Sequence, residues 1–410
     1  MNKISIAIGK LAQTASRLRG GGSAFPGLVV EKINPSFVRN ILEKLPYGVI
    51  VISGTNGKTT TTKIISEMLQ AQGLKVFTND TGSNFVRGVI SSILDHIDIN
   101  GKFNYDIAVL ELDEAHAVKF CEVVPIRHAL FLNVQRDQLD RFGEIDHTAE
   151  LLQKVADVAQ DSVVLNREDP RISKIKCKNP IYFGLSDQLL SQFPSDDDLL
   201  ATTTDKKIRH HAKTILADLF GNEATYKIAG KSYTTKLALR GIYNAYNAAG
   251  ALALCQQILP KVNAGKWLDS LAKVKSAFGR GEIIKIGDLE VEILLVKNPS
   301  AFQLSLKSFV DGHHDYMIAI NDNFADGQDM SWLWNVDFTL LTNVMMVSGV
   351  RAHDMALRLK YDEITAKQIE PNLEQALPKF ITTGTQPKRI FTTYTAMLEI
   401  RKILSGRSIL

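Results

Sequence analysis

The sequence predicts an α/β protein, a central domain built on a parallel sheet followed by a smaller, Rossmann-like C-terminal α/β domain. Two observations carry this. From about residue 47 short apolar runs alternate with longer stretches of helical period, the signature of strands joined by crossover helices. After "SAFGRGE" the alternation starts afresh, so a boundary falls near Arg280. At 410 residues the chain also exceeds what a single hydrophobic core usually supports.

Residues 1–45 read as an N-terminal helical segment. Ile4, Ile8, Leu11, Ala15 and Leu18 recur at helical spacing, with Lys3, Lys10, Arg17 and Arg19 distributed around them, until "GGGS" ends the run. This is an amphipathic helix expected to pack at a domain edge; contact with an anionic membrane surface is the second reading. The central domain, 46–281, offers the strands "GVIVIS", "LKVFTN", "DIAVLELD", "HALFLNV" and "SVVLN". Each ends in polar residues, and ligands bind beyond the carboxyl ends of strands in open α/β sheets. A polar, turn-rich excursion or small subdomain is expected at about 185–235, around "SQFPSDDDLLATTTDKK", before the helix "GIYNAYNAAGALALCQQIL". The C-terminal domain, 282–410, resumes with "LEVEILLV", "YMIAIND", "NVMMVSG" and "RIFTTY".

Composition narrows the function. With 45% hydrophobic and 22% charged residues the chain reads as an ordinary globular protein. A net charge of +4, with basic residues spread along the chain, argues against nucleic acid as a partner. Cys121, Cys177 and Cys255 are widely spaced and form no C-x-x-C pair, which fits a reducing cytoplasm. No apolar run reaches the roughly 18 residues of a spanning helix, and no signal peptide is evident.

The stretch "VISGTNGKTTTT" carries the chemistry. A strand runs into glycine-bearing turn residues and then a helix, the setting in which backbone N–H groups converge on phosphate. The glycine spacing is shorter than in G-x-x-x-x-G-K-[ST]: counting back five from Gly57 reaches Ile52, and the glycine is Gly54. Gly54, Thr55, Asn56, Gly57, Lys58, Thr59 and Thr60 form the candidate nucleotide cradle. Lys58 would neutralise the β- and γ-phosphates, and the Thr59 hydroxyl would serve magnesium. A carboxylate is then needed on a neighbouring strand, and "AVLELDEAH" supplies Glu111, Asp113 and Glu114, with Glu111 and Asp113 expected on one face. "LNVQRDQLDRFGEID" is denser in polar residues (Asn133, Arg136, Asp137, Gln138, Asp140, Arg141) than a turn requires, though spacing alone leaves a solvated helix face open.

In order, "GTNGKTT", "ELDE", "LNVQRDQLDRFGEID", "LNREDP", "YNAYNAAGALA" and "GRGE" resemble the P-loop ATPase core of the Mur ligase family. The shortened loop is that family's own version. The resemblance implies use of ATP and magnesium to phosphorylate a carboxylate, followed by attack of a nitrogen nucleophile to form an amide. Further stretches, "LAQTASRLRG", "KNPSAF", "NDNFADGQDMSW" and "RAHDMALRLKYD", are similar to the amidotransferase branch of the family and extend the likeness over nearly the whole chain. That branch implies amidation of the D-glutamate α-carboxyl in a lipid-linked peptidoglycan precursor, with ammonia from a separate GatD-type glutaminase in a heterodimer. Membrane contact would be at most peripheral, through the lipid substrate.

Carried over by position, Lys58 and Thr59 keep the roles given above and Glu111 matches the magnesium carboxylate. Asn247 matches an adenine-contacting asparagine and Arg280 a nucleotide-contacting arginine, with Asn166 and Asp169 approaching the nucleotide. Asp329 matches an aspartate that orients the histidine of the partner's Cys-His pair; capping of the helix before "MSWLW" is its other reading. Lys297 faces the cleft or is a surface lysine at a turn. Relatives commonly carry a four-cysteine zinc ribbon, but 166–237 contains only Cys177, so no zinc is expected. Gln138 stands where related ligases have a histidine, so one magnesium rather than two is expected. The three cysteines sit in contexts of packing rather than catalysis. The rival readings are a self-contained ligase that adds an amino acid, as in folylpolyglutamate synthesis, and a nucleotide-dependent scaffold subunit.

Overall fold

The computed structural model describes residues 2–18, 24–79, 85–135, 145–193, 209–275 and 280–405. Three helices come first, α1 (Asn2–Leu18), α2 (Phe25–Ile33) and α3 (Phe37–Leu42). Strands and helices then alternate: β1 (Val49–Ser53), α4 (Lys58–Ala71), β2 (Val76–Phe77), α5 (Val86–His96), β3 (Ile107–Glu111), α6 (Glu114–Val123) and β4 (His128–Phe131). They continue with α7 (Ile145–Val158), β5 (Ser162–Asn166), β6 (Pro180–Leu185), β7 (Thr214–Phe220), β8 (Glu223–Ile228), β9 (Lys231–Lys236), α8 (Ile242–Ile258) and α9 (Ala264–Leu271).

These strands make one nine-stranded sheet in the order β2-β3-β1-β4-β5-β6-β7-β8-β9, parallel from β2 to β7 and antiparallel beyond. Buried on both faces, β1 and β3 read as continuous apolar runs (VIVIS, IAVLE) rather than alternating ones. One face packs on α4, α8 and α9 through Ile64, Met68, Leu252 and Trp267. The other packs on α2, α3, α5 and α6 through Val30, Phe37, Ile93 and Phe120. The polar stretch expected as an excursion supplies β7, β8 and β9, which extend this same sheet; residues 194–208 of it lie outside the described set.

A second sheet begins at Arg280. Its elements are β10 (Arg280–Ile286), β11 (Leu289–Leu295), α10 (Pro299–Phe309), β12 (Asp315–Ala319), β13 (Val344–Ser348), α11 (Ala352–Tyr361), β14 (Gln368–Glu370), α12 (Leu373–Thr382), β15 (Lys388–Thr392) and α13 (Tyr394–Ser405). The order is β10-β11-β15-β12-β13-β14, parallel except for the β10/β11 hairpin. Arg389 lies buried on β15 with its guanidinium 2.6 Å from Glu292 of β11, and Arg240 of the first domain reaches the same carboxylate at 3.2 Å. Two guanidinium groups on one buried carboxylate fix the second sheet against the chain that enters it.

Candidate active site

β1 lies where the strand order reverses, between β3 and β4, so the chain leaving its carboxyl end enters the crevice such sheets use for ligands. Gly54 (φ +128°) and Gly57 (φ +89°) turn the loop, both in backbone regions that side chains rarely adopt. Space demands glycine as well: a Cβ on Gly54 would sit 2.8 Å from the Asn133 carbonyl, and one on Gly57 2.7 Å from the Asn247 amide. Lys58 then opens α4, whose first turn and dipole favour a phosphate.

The loop is clamped to the end of β4. Asn133 accepts from the Asn56 N–H at 2.8 Å and donates its amide to the Asn56 carbonyl at 3.0 Å. The Thr55 N–H donates to the Asn133 carbonyl at 2.9 Å, and the Gln135 N–H donates to the Thr55 hydroxyl at 3.0 Å. A cradle held this way loses little entropy when a phosphate arrives.

Charge is arranged around Lys58. Its ammonium donates to the Gly54 carbonyl at 2.8 Å and lies 3.1 Å from Asp113. Burial pushes the Asp113 carboxyl up, but Lys58, with Lys297 and His116 beyond it, outweighs burial and holds its pKa below the usual value. Asp113 is therefore a carboxylate that orients Lys58. Glu111 ends β3 with its backbone locked by Asn79, which accepts from the Glu111 N–H at 3.0 Å and donates to its carbonyl at 2.8 Å. One side-chain oxygen of Glu111, Oε2, is buried without a hydrogen-bond partner. An orphaned carboxylate oxygen beside a phosphate cradle fits a cation ligand. Among the described residues no three His, Cys, Asp or Glu side chains converge as a ready-made metal site, so Glu111 and Thr59 would hold magnesium only together with nucleotide oxygens.

A cleft of about 1100 Å³, counted out to its open mouth, runs from the loop between the two sheets. Asn247 lines it beside Gly57 and Thr60, as a nucleotide-contacting residue requires, and Tyr246, Phe183 and Phe193 form an apolar wall. Asn166 also lines it but is engaged by the protein: its amide donates to the Leu132 carbonyl at 2.7 Å, and its carbonyl oxygen accepts from the Glu168 N–H and the Tyr246 hydroxyl. Asp169 is a brace. Burial raises its pKa, although it accepts three N–H bonds, from Val134, Arg171 and Ile172, that tie β5 to β4. Lys297 lines the cleft rather than an outer turn.

Arg280 opens β10 opposite Leu294, and its side chain lies outside the described residues, as do Arg136 to Arg141, including Gln138. Asp329 stands apart from this cluster, exposed on the loop after β12, where its carboxylate accepts from the Ser331 N–H at 2.8 Å. The Ser331 hydroxyl and N–H hold its pKa below the usual carboxylate value. The three thiols are not activated: burial pushes Cys121 to about 12 and raises Cys177 and Cys255 as well.

Three contributors were invisible to sequence reasoning as site residues. Phe183 and Phe193 reach the cleft from β6 and beyond, and no local pattern connects them to the loop. Asn298 pairs with Asn56 across 242 residues. Its position before a proline signals a helix cap, and it does cap α10, accepting from the Ala301 N–H at 2.9 Å, but a cap signature says nothing of a distant partner.

A glycine loop between strand and helix, a buried carboxylate on the next strand and a second parallel sheet across the cleft make up the build of a Mur-type ligase. Residues 52–255 match the model of the Mur ligase middle domain, and residues 295–397 that of the MurT ligase C-terminal region. The chain is 31% identical to the lipid II isoglutaminyl synthase (glutamine-hydrolyzing) subunit MurT of Streptococcus pneumoniae, over 96% of this chain and 94% of that one. It is 29% identical to the subunit of the same name from Staphylococcus aureus strain COL, over 88% of each. Among solved structures, MurF from Acinetobacter baumannii superposes with TM-score 0.70 at 16% identity, covering 93% of this chain and 80% of that one. MurF from Thermotoga maritima in complex with ADP gives 0.68 at 18% identity, covering 92% and 85%. The chain belongs to the MurT family of Mur ligases.

Proposed function

We propose that the chain is the synthetase subunit of a glutamine-dependent amidotransferase, which uses ATP to amidate the D-glutamate α-carboxyl of a lipid-linked peptidoglycan precursor to D-isoglutamine. The single observation that carries this reading is the likeness to MurT subunits of lipid II isoglutaminyl synthase along 96% of the chain. The site supports it chemically. ATP lies with its phosphates on Gly54 to Thr60 and its base toward Asn247, with Arg280 and Asn166 completing the nucleotide site. Thr59 and Glu111 would hold magnesium, which would disperse charge on the phosphates.

The carboxylate oxygen of the substrate bonds to the γ-phosphorus, and ADP leaves. Ammonia then bonds to the acyl carbon, and inorganic phosphate leaves with the C–O electron pair and the proton that the nitrogen gives up. Lys58 and Lys297 counter the charge on the transferring group, so the protein's part is positioning and electrostatics. Acyl phosphates hydrolyse, so the reaction requires the two domains to close over the loop and exclude water.

Ammonia comes from a GatD-type glutaminase bound as a heterodimer, with Asp329 completing that partner's Cys-His pair. Support comes from the solvent-facing carboxylate of Asp329 and from Phe324 and Trp334, large apolar side chains exposed in the same stretch of chain. None of this chain's own thiols is primed to hydrolyse glutamine. No described helix is long and apolar enough to cross a membrane. The test is co-expression with a GatD-type glutaminase. A complex that turns over glutamine only when both chains are present supports the reading; ATP hydrolysis that requires a free amino acid and ignores ammonia overturns it.

A further inference from the structure

The helix α1 is inverted relative to a helix at a soluble domain edge. Its packed face consists of Ser5, Ile6, Gly9 and Ser16, and these mostly small residues let it lie close to α2 and α5: a Cβ on Gly9 would come within 2.6 Å of Val30 and 2.8 Å of Leu94. The outward face carries Ile4, Ala7, Leu11 and Ala15, with Ile4 67% and Leu11 71% exposed and Ile8 half-buried between them. A water-facing helix normally turns such a stripe inward. On the adjoining α2, Phe25 and Ile33 are exposed too.

Charge says what the stripe meets. The first thirty residues hold four basic side chains, Lys3, Lys10, Arg17 and Arg19, and no acidic one, which equals the formal net charge of the whole chain, +4. An apolar stripe on a segment whose own formal charges are all positive complements an anionic lipid surface, where burial of apolar area and attraction to lipid phosphates add.

Position agrees. α5 begins near the site, where Phe85 lies against His116, and its far end receives α1 through Lys10, donating to the Leu94 carbonyl at 2.8 Å, and Gln13, donating to Asp95 at 2.9 Å. The 11 residues of α5, about 16 Å of helix, separate these two ends.

We infer that α1 is a membrane-surface helix that seats the protein on an anionic bilayer, with Ile4, Ile8 and Leu11 in the headgroup boundary. The inference rests on the reading of the substrate as lipid-linked, which obliges the enzyme to work beside a bilayer. The test is co-sedimentation of the full chain with vesicles of phosphatidylcholine alone or with about a quarter phosphatidylglycerol. The wild type should sediment with the anionic vesicles, and I4D/L11D should bind them about tenfold less, with an unchanged circular dichroism spectrum. I4D/L11D should still amidate a detergent-dispersed precursor at the wild-type rate, so loss of vesicle binding and failure of the ligase reading are told apart. No sedimentation of the wild type, equal binding to neutral vesicles, or undiminished binding by I4D/L11D would overturn the inference. So would a wild-type dimer in light scattering that I4D/L11D dissociates, because the stripe would then cover a second copy.

Discussion

Asn56 of the phosphate loop and Asn298 at the head of α10 exchange amide hydrogen bonds of 3.2 and 3.1 Å across the boundary between the two sheets. Asn298 is 1% exposed, and its carbonyl oxygen also caps α10. One side chain thus ties the nucleotide loop to the helix that carries the opposite wall of the cleft. Asn298→Asp keeps the cap acceptor but removes the amide donor to Asn56. It should lower the melting temperature, because the new carboxylate is buried, and lower kcat by roughly 10- to 100-fold with a smaller change in KM for ATP, because the domains no longer register on the loop. Full activity of the variant would make Asn298 a cap and nothing more.

Lys58→Ala removes the cation that Asp113 holds over the loop and should cut ATP-dependent turnover by roughly 10²- to 10³-fold. Glu111→Gln should fold normally, since Oε2 has no protein partner to lose, and should raise the magnesium concentration needed for half-maximal activity. Magnesium titrations of the two proteins check this; superposable curves would remove Glu111 from the metal site.

Asp329 is distant in role from that chemistry, and its substitution should divide the two half-reactions. Asp329→Asn in the complex should lower glutamine-dependent amidation by roughly 10²- to 10⁴-fold while amidation with added ammonium salt persists. Equal loss of both activities would point to a structural role for the turn that Asp329 forms with Ser331.

His128, at the amino end of β4, gives a pH signature separate from catalysis. Its Nδ1 lies 2.8 Å from the Ser162 hydroxyl, and its Nε2 lies 3.8 Å from Asp161, an ion pair only when the ring is protonated. Burial, aided by Arg127 and opposed by Asp161, pushes its pKa down to about 4, so the ring is neutral at pH 7. A folded pKa below the unfolded value means the unfolded chain binds the proton first. The stabilisation is complete above about pH 6.5 and is lost as pH falls toward 4, on the order of 3 kcal/mol in all. From pH 7.5 to 4.5 the wild type should lose about 2–3 kcal/mol more stability than His128→Gln in thermal melts; parallel curves would contradict the assignment.

Much of the first sheet and most strands of the second were legible because parallel strands buried on both faces read as apolar runs ending in polar residues. The loop was legible for the same reason: glycine, lysine and threonine fall together in sequence. β7 to β9 were not, because edge strands in antiparallel pairing alternate polar with apolar residues, as "EATYKI" and "KSYTTK" do, and so resemble a polar excursion. The Asn56 to Asn298 link and the aromatic wall of the cleft were hidden because they are made by packing of residues far apart in the chain. The outward stripe of α1 was visible as a period, but only the small residues on its inner face show which side the protein leaves uncovered.

On the proposed function, ATP-driven activation ends in an amide made from ammonia. Its most direct test is mass spectrometry of the lipid-linked precursor after incubation with the chain, a GatD-type glutaminase, ATP, magnesium and glutamine. Conversion of carboxylate to amide should lower the precursor mass by about one unit in the presence of ATP and not in its absence. A precursor recovered unchanged, or heavier by an amino-acid residue, would contradict the account.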